Sequence, residues 1–282
     1  MGSSFRDHQP AWVGNFLLPI ARVAETEGQK RLYRRRRRKV ACRAWLRFFW
    51  GAAFFKFVIP SPTSLFQSGG PFEFIVKPTP QLAATLGELR GSLSAEIFEE
   101  LVRETRRVYG LYTEQLRAKA PGAERGRELH RLINRTMEQA APKNVSCQRG
   151  CAACCRYEVE ITWDEAEVLK EAVLGGVAID EGRLTALAAR ERKSPLWSDL
   201  ANPENRCVFL GEDGACRVYE QRPAICRKHL VTSPPIACGT PGESVAIVRI
   251  LFAEIVLSAA LGIDTVTTGS LPKMVWAALQ TR

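Results

Sequence analysis

At 282 residues the chain has room for about two domains of roughly 150 residues each. Its 46% hydrophobic and 25% charged residues exclude a low-complexity or disordered polymer. The net charge of +10 first suggests nucleic acid or an anionic membrane, but its position excludes a basic globular body. Residues 1–60 carry 13 Lys/Arg against 3 Asp/Glu, whereas residues 61–282 carry 27 of each.

In chain order, residues 1–60 form a basic leader with an unbroken run from Arg34 to Lys39, then an aromatic-rich stretch from Trp45 to Ile59. Arg47 and Lys56 interrupt that stretch, leaving an apolar piece far short of the ~20 residues of a transmembrane helix. A signal peptide would need a small-residue cleavage site, which is not evident. A surface-lying amphipathic segment stays open as an alternative. The composition break favours an unstructured leader, or upstream sequence ahead of a true start at a Val or Leu codon.

Residues 61–79 read as a linker, punctuated by Pro62, Gly69, Gly70, Pro71 and Pro78. A helical domain is expected over 80–282. Leu93, Ile97, Leu101, Val108, Leu111 and Leu116 recur at helical spacing up to Pro121-Gly122, and Leu129, Leu132, Ile133 and Met137 continue to Pro142. Tyr157 to Ile161 reads as a short extended segment. Thr162-Trp163-Asp164-Glu165 has capping-box spacing and predicts a helix that Gly175-Gly176 stops. Asp180 predicts a cap for another helix through Leu184, Leu187 and Ala188. Ser194 to Gly242 is irregular, and two closing helices are expected around 243–261 and 270–279. The first of these is apolar nearly all round, as a buried core helix is; Arg249 and Glu254 argue against a membrane span. The expected fold is therefore mainly α: a small helical domain with an irregular cysteine-rich metal-binding core and little or no β structure.

Eight of the nine cysteines fall between 147 and 238. Such clustering in a chain long enough to build its own core points to a metal site in a reducing compartment, so a cytoplasmic location is expected. The first group, Cys147, Cys151, Cys154 and Cys155, has C-x3-C-x2-C-C spacing, with Gly150 allowing a tight turn. The second is Cys207, Cys216 and Cys226, followed three residues later by His229. Thiolate and imidazole are the usual zinc donors, and four thiolates also suffice for an iron–sulfur cluster. Arg149, Arg156, Arg206, Arg217, Arg222, Arg227 and Lys228 flank these thiols, and cations favour thiolates. The ordinary alternative for each arginine is a solvated surface charge, and for a lone thiol such as Cys42 a buried apolar role. His130 is read as a helix-surface or core histidine. Adjacent Cys154 and Cys155 are not expected to bind one ion, because neighbouring side chains diverge.

The spacing C-x3-C-x2-C is also that of radical S-adenosylmethionine enzymes. That fold is rejected: only 127 residues follow Cys155, no strand–helix repeat is present, and a fourth cysteine adjoins the third. The two groups together, with Arg206-Cys207, Cys216-Arg217-Val218-Tyr219 and Arg222-Pro223 leading to Cys226-Arg227, resemble the YkgJ-type cysteine-cluster family of zinc- or iron-chelating CxxCxxCC proteins. The resemblance runs from about Cys147 to His229, and the Leu129-His130 helix and Ser270-Leu271-Pro272 look similar to bacterial members. It implies Cys147, Cys151, Cys154, Cys155, Cys207, Cys216 and Cys226 as signature ligands, with Pro223 stiffening the turn before Cys226. Cys238 lies outside the matched part. The expected function is metal binding, with Zn2+ or Fe, the latter as an iron–sulfur cluster in one version. The alternative is an iron–sulfur enzyme for electron or group transfer, either oxidoreductase or methylase-like. A zinc module binding nucleic acid comes last, since residues 61–282 are neutral and offer neither nucleic acid nor membrane an obvious partner surface.

Overall fold

Residues 62–281, apart from 200, 201 and 241, are described by a computed structural model. The basic run and the aromatic-rich stretch read in the leader lie outside the described residues.

Local rules set most helix ends. Thr79 accepts a hydrogen bond from the Leu82 N–H and Pro80 occupies the first turn, opening α1 (Pro80–Ser92). Ser94 caps α2 (Ala95–Arg117) in the same way. Gly122, at φ 96°, supports the turn into α3 (Ala123–Ala140). The expected capping box forms: the Thr162 hydroxyl accepts from Glu165 N–H while Glu165 accepts from Thr162 N–H, opening α4 (Trp163–Leu174), with Gly175 at its end. Asp180 caps α5 (Glu181–Ala188). A five-residue helix, α6 (Ala224–Lys228), carries Cys226, and α7 (Leu251–Leu261) and α8 (Leu271–Gln280) close the chain.

Strand structure is sparse, as expected. β1 (Glu160–Thr162) pairs antiparallel with β4 (Thr268–Ser270), setting Glu160 opposite Ser270. β2 (Leu230–Val231) pairs antiparallel with β3 (Ile247–Val248). This second pair changes the expected helix over 243–261. That helix begins only at Leu251, because Ile247 and Val248 satisfy their backbone against β2. The apolar run itself is compatible with either state.

Helix α7, buried along most of its length, packs against α1, α2 and α3. Helices α4, α5 and α8 enclose a second cluster including Ile161, Leu169, Leu184, Val208, Phe209 and Val275. The Pro/Gly-punctuated segment contributes to the first group: Phe72 and Ile75 are 0% and 2% exposed, and the Phe72 ring meets Phe98 edge-on at 5.7 Å. Turn residues there change direction without keeping the chain in solvent. Ile97 and Leu111, expected to face the core, are instead partly open at 41% and 37%. The buried face of α2 runs through Phe98, Leu101, Val108 and Leu116.

The two helical groups meet where α3 crosses α4. Gly126 lets the backbones approach, since a Cβ there would collide with the Asp164 carbonyl. Beside it, Arg125 donates to Asp164 through Nε at 2.5 Å and Nη2 at 3.0 Å, and the Gly122 N–H donates to the same carboxylate at 2.7 Å. Both ionic side chains are buried. Replacing Asp164 by Ala should lower unfolding stability by about 3–5 kcal/mol, since it strands a buried guanidinium. Removing Glu100 from its exposed pair with Arg103 should change it by less than about 1 kcal/mol. Denaturant titration of both variants checks the contrast.

Candidate metal centre

Residues 144–156 and 202–240 form the irregular half of the fold, where short 3-10 turns replace long helices. The first thiol group turns as its glycine suggested. Gly150 adopts φ 89°, the Cys151 N–H donates to the Gln148 carbonyl at 3.1 Å, and Ala153–Arg156 forms a 3-10 turn holding Cys154 and Cys155. The second group is brought to it by backbone bonds. The Cys207 N–H donates to the Cys155 carbonyl at 2.8 Å, and Cys216 pairs across a turn with Leu210. Pro223 precedes α6 and accepts from the Arg227 N–H at 3.0 Å, placing Cys226 inside the short helix.

Every thiol from Cys147 to Cys238 is free. Seven of these are half-buried and Cys238 is fully buried. They lie close enough to alter one another's ionisation. The Cys154 thiol is lowered to about 7, chiefly by a hydrogen bond from Cys155, with Arg222 helping. The same bond and burial drive Cys155 strongly upward. Burial raises Cys207 to about 11, and raises Cys147, Cys216, Cys226 and Cys238, with neighbouring thiols adding to each. Among the described residues, no three His, Cys, Asp or Glu side chains are grouped so that they could hold a metal ion as they stand. The arrangement is a crowd of mutually repelling soft donors, and a bound cation would relieve both the repulsion and the burial penalty.

Of the basic residues flanking the thiols, two act directly on them. The Arg222 guanidinium favours the thiolates of Cys147, Cys154 and Cys216 and sits 4.2 Å from the Tyr219 ring centre; Arg149 favours Cys216 and lies 5.1 Å from the same ring. Others have structural duties. Arg227 donates to Asn134 Oδ1 at 2.9 Å and to the Arg222 carbonyl, while Lys228 makes a buried 2.7 Å ion pair with Glu254. Arg206 donates to the Gly211 carbonyl and Arg217 to the Ala178 carbonyl. His229 ends α6; its backbone N–H donates to Ile225, and burial and Lys228 lower its imidazole pKa.

The roles of three participants escaped sequence reasoning. Cys238 is buried and feels Cys147, Cys154 and Cys151, and its carbonyl accepts from the Tyr157 hydroxyl at 2.8 Å. Arg183, on α5, favours the Cys207 thiolate. Glu165, read only as a helix cap, is fully buried and accepts from the Ala224 N–H at 2.7 Å. The same carboxylate contacts His130 Nε2 at 3.3 Å, so the histidine belongs to the core and braces α6 from behind. Burial opposes ionisation of Glu165, but His130 and the two backbone donors outweigh it and hold its pKa low.

The thiol-rich segment also carries a family match. Residues 146–239 match the model of the CxxCxxCC family, described as a "putative zinc- or iron-chelating domain". That segment is therefore a CxxCxxCC domain, and it takes in Cys238. No curated protein and no solved structure matches the chain.

Glu165→Ala leaves the Ala224 N–H, the Thr162 N–H and His130 without their acceptor. A loss on the order of 3 kcal/mol in unfolding stability is expected, together with weaker metal retention because Cys226 is no longer fixed. Thermal unfolding and metal analysis of the purified variant check both effects.

Proposed function

We propose that the protein is a metal-binding protein whose zinc or iron is held by thiolates of Cys147, Cys151, Cys154, Cys155, Cys207, Cys216 and Cys226, and that this centre organises the irregular half of the domain. The observation that carries the reading is that free thiols from both sequence groups lie near enough to alter one another's ionisation, with Arg222 and Arg149 beside them. The donor chemistry fits the group. Soft thiolates select zinc, iron–sulfur units and similar ions, and several buried thiols gain by exchanging protons for a divalent cation. His229, proposed from sequence as a further ligand, is the weaker member, since burial and Lys228 rather than thiolates shape its ionisation. When bound, the metal supplies folding free energy, on the order of 10–16 kcal/mol in apparent terms for a structural zinc. The free thiols suit a reducing compartment, so we place the protein in the cytoplasm. Among the described residues no helix is long and apolar enough to cross a membrane.

A second reading is an iron–sulfur enzyme. A cleft of about 560 Å3, lined in part by Tyr157, Trp197 and Ala237, favours it, because Tyr157 and Ala237 adjoin the thiol region. Iron with labile sulfide in the isolated protein would support this reading over a structural zinc.

The test is anaerobic purification of the full chain, followed by metal and sulfide analysis and a visible spectrum. At least one equivalent of zinc or iron is expected, falling sharply in a Cys154→Ser variant; reduced protein that neither contains nor takes up either metal would overturn the reading. Chelation should also open residues 194–242 to protease, and unchanged protection there would refute the organising role.

A further inference from the structure

The cleft beside the thiol region carries a recognition chemistry of its own. Two 3-10 turns opened by proline, Pro195–Ser198 and Pro235–Gly239, contribute to it. The first is anchored by the buried Trp197 ring, over which Arg190 stacks at 4.7 Å. The second is held by the Tyr157 hydroxyl, which donates to the Cys238 carbonyl at 2.8 Å. Tyr157, Pro195 and Ala237 supply apolar walls, and a volume of about 560 Å3 suits a small organic ligand. Leu196 and Ile236, next to lining residues on the two turns, are 53% and 76% exposed, so the rim is apolar as well.

Several polar groups of the cleft are already spent. The hydroxyl protons of Tyr157, Ser198 and Thr240 go to backbone carbonyls at 2.8, 2.5 and 3.0 Å. Others are not. Trp197 Nε1 is buried and has no hydrogen-bond acceptor among the described residues. An unmet buried donor is costly, and an acceptor brought by a ligand removes that cost. Lys193, Glu158 and Glu243 line the same cleft, and their side chains make no ion pair among the described residues.

Lys193 is also the one described residue other than glycine with a left-handed backbone, at φ 58°. That conformation is unfavourable for a residue with a Cβ, and it is held by the Lys193 N–H donating to Glu158 Oε2 at 3.1 Å. The turn thus sets a lysine directly beside a carboxylate without pairing their charges. A simple anion in the cleft would meet Glu158 and Glu243, and a simple cation would meet Lys193 and the indole N–H. A ligand with both charges on one carbon escapes both objections.

We propose that this cleft binds a free α-amino acid with an aromatic side chain. Lys193 and Trp197 Nε1 take its carboxylate, Glu158 and Glu243 its ammonium, and the walls of Tyr157, Pro195 and Ala237 its ring. The assignment stands on the cleft residues alone and does not depend on which metal the thiols hold.

Calorimetric titration of the reduced full chain with L-phenylalanine tests this, with metal content recorded on the same samples. Saturable binding and a raised unfolding temperature are expected. Phenethylamine lacks the carboxylate and 3-phenylpropionate lacks the ammonium. Each should bind at least about tenfold more weakly, the factor that one lost charged hydrogen bond brings. Lys193→Gly keeps the left-handed turn without steric cost and removes the ammonium. Its unfolding temperature should hold while its affinity for L-phenylalanine falls by the same factor. No saturable binding at millimolar L-phenylalanine would overturn the assignment while leaving the metal centre untouched. Equal binding of either truncated analogue, or unchanged affinity in Lys193→Gly, would overturn it too. Binding by a chain that takes up no metal would overturn the metal reading and support this one.

Discussion

The structure depends on how a five-residue helix is held. Helix α6 is too short to be stable by itself, because nucleation consumes most of what so few hydrogen bonds return. It is fixed at both ends by buried charge. The Glu165 carboxylate receives the Ala224 N–H at its start, and Lys228 reaches Glu254 at its finish. Glu254 also accepts from the Thr79 hydroxyl at 2.6 Å, which ties the same point to the beginning of α1. Cys226 is thus positioned by four helices, although only its immediate neighbours lie in the thiol region. A buried carboxylate persists because its acceptor capacity is filled, by Thr162, Ala224 and His130.

The irregular half around α6 has a different economy. It offers few long helices and little sheet, and its thiols repel one another once ionised. A divalent cation reverses the sign of that interaction, turning crowding into cohesion. The magnitude is sufficient: a structural zinc contributes apparent free energy comparable with the roughly 5–15 kcal/mol stability of a whole domain. Basic residues add a fixed contribution at the edge, with Arg222 and Arg149 against Tyr219. The +10 of the whole chain does not describe this local field, which is built from a few guanidinium groups around thiols.

Local chemistry was legible in the sequence wherever a rule acts over three or four residues. The Thr162–Glu165 box, the Asp180 cap and the Gly150 turn all occur where their spacing placed them. Long-range pairing was not legible. Nothing in the run from Val245 to Val248 says that Ile247 and Val248 will face β2 instead of joining α7, because a short apolar run suits strand and helix alike. Proline and glycine marked turns between 61 and 79 but could not reveal that Phe72 and Ile75 reach the core. Glu165 announced its capping role through Thr162, three residues away, yet its contact with Ala224 spans 59 positions. Cys238 was counted with the clustered cysteines, but its place was not legible for the same reason, since its carbonyl is tied to Tyr157, 81 residues earlier.

The central claim is that a thiolate-held metal organises the irregular half while the helical body stands without it. Amide hydrogen exchange, measured on the full chain with metal bound and after chelation under reducing conditions, addresses this directly. The account predicts that metal adds strong protection over 146–156 and 203–239, with α2, α3 and α7 nearly unchanged. Equal protection of the cysteine segments in both states would contradict it.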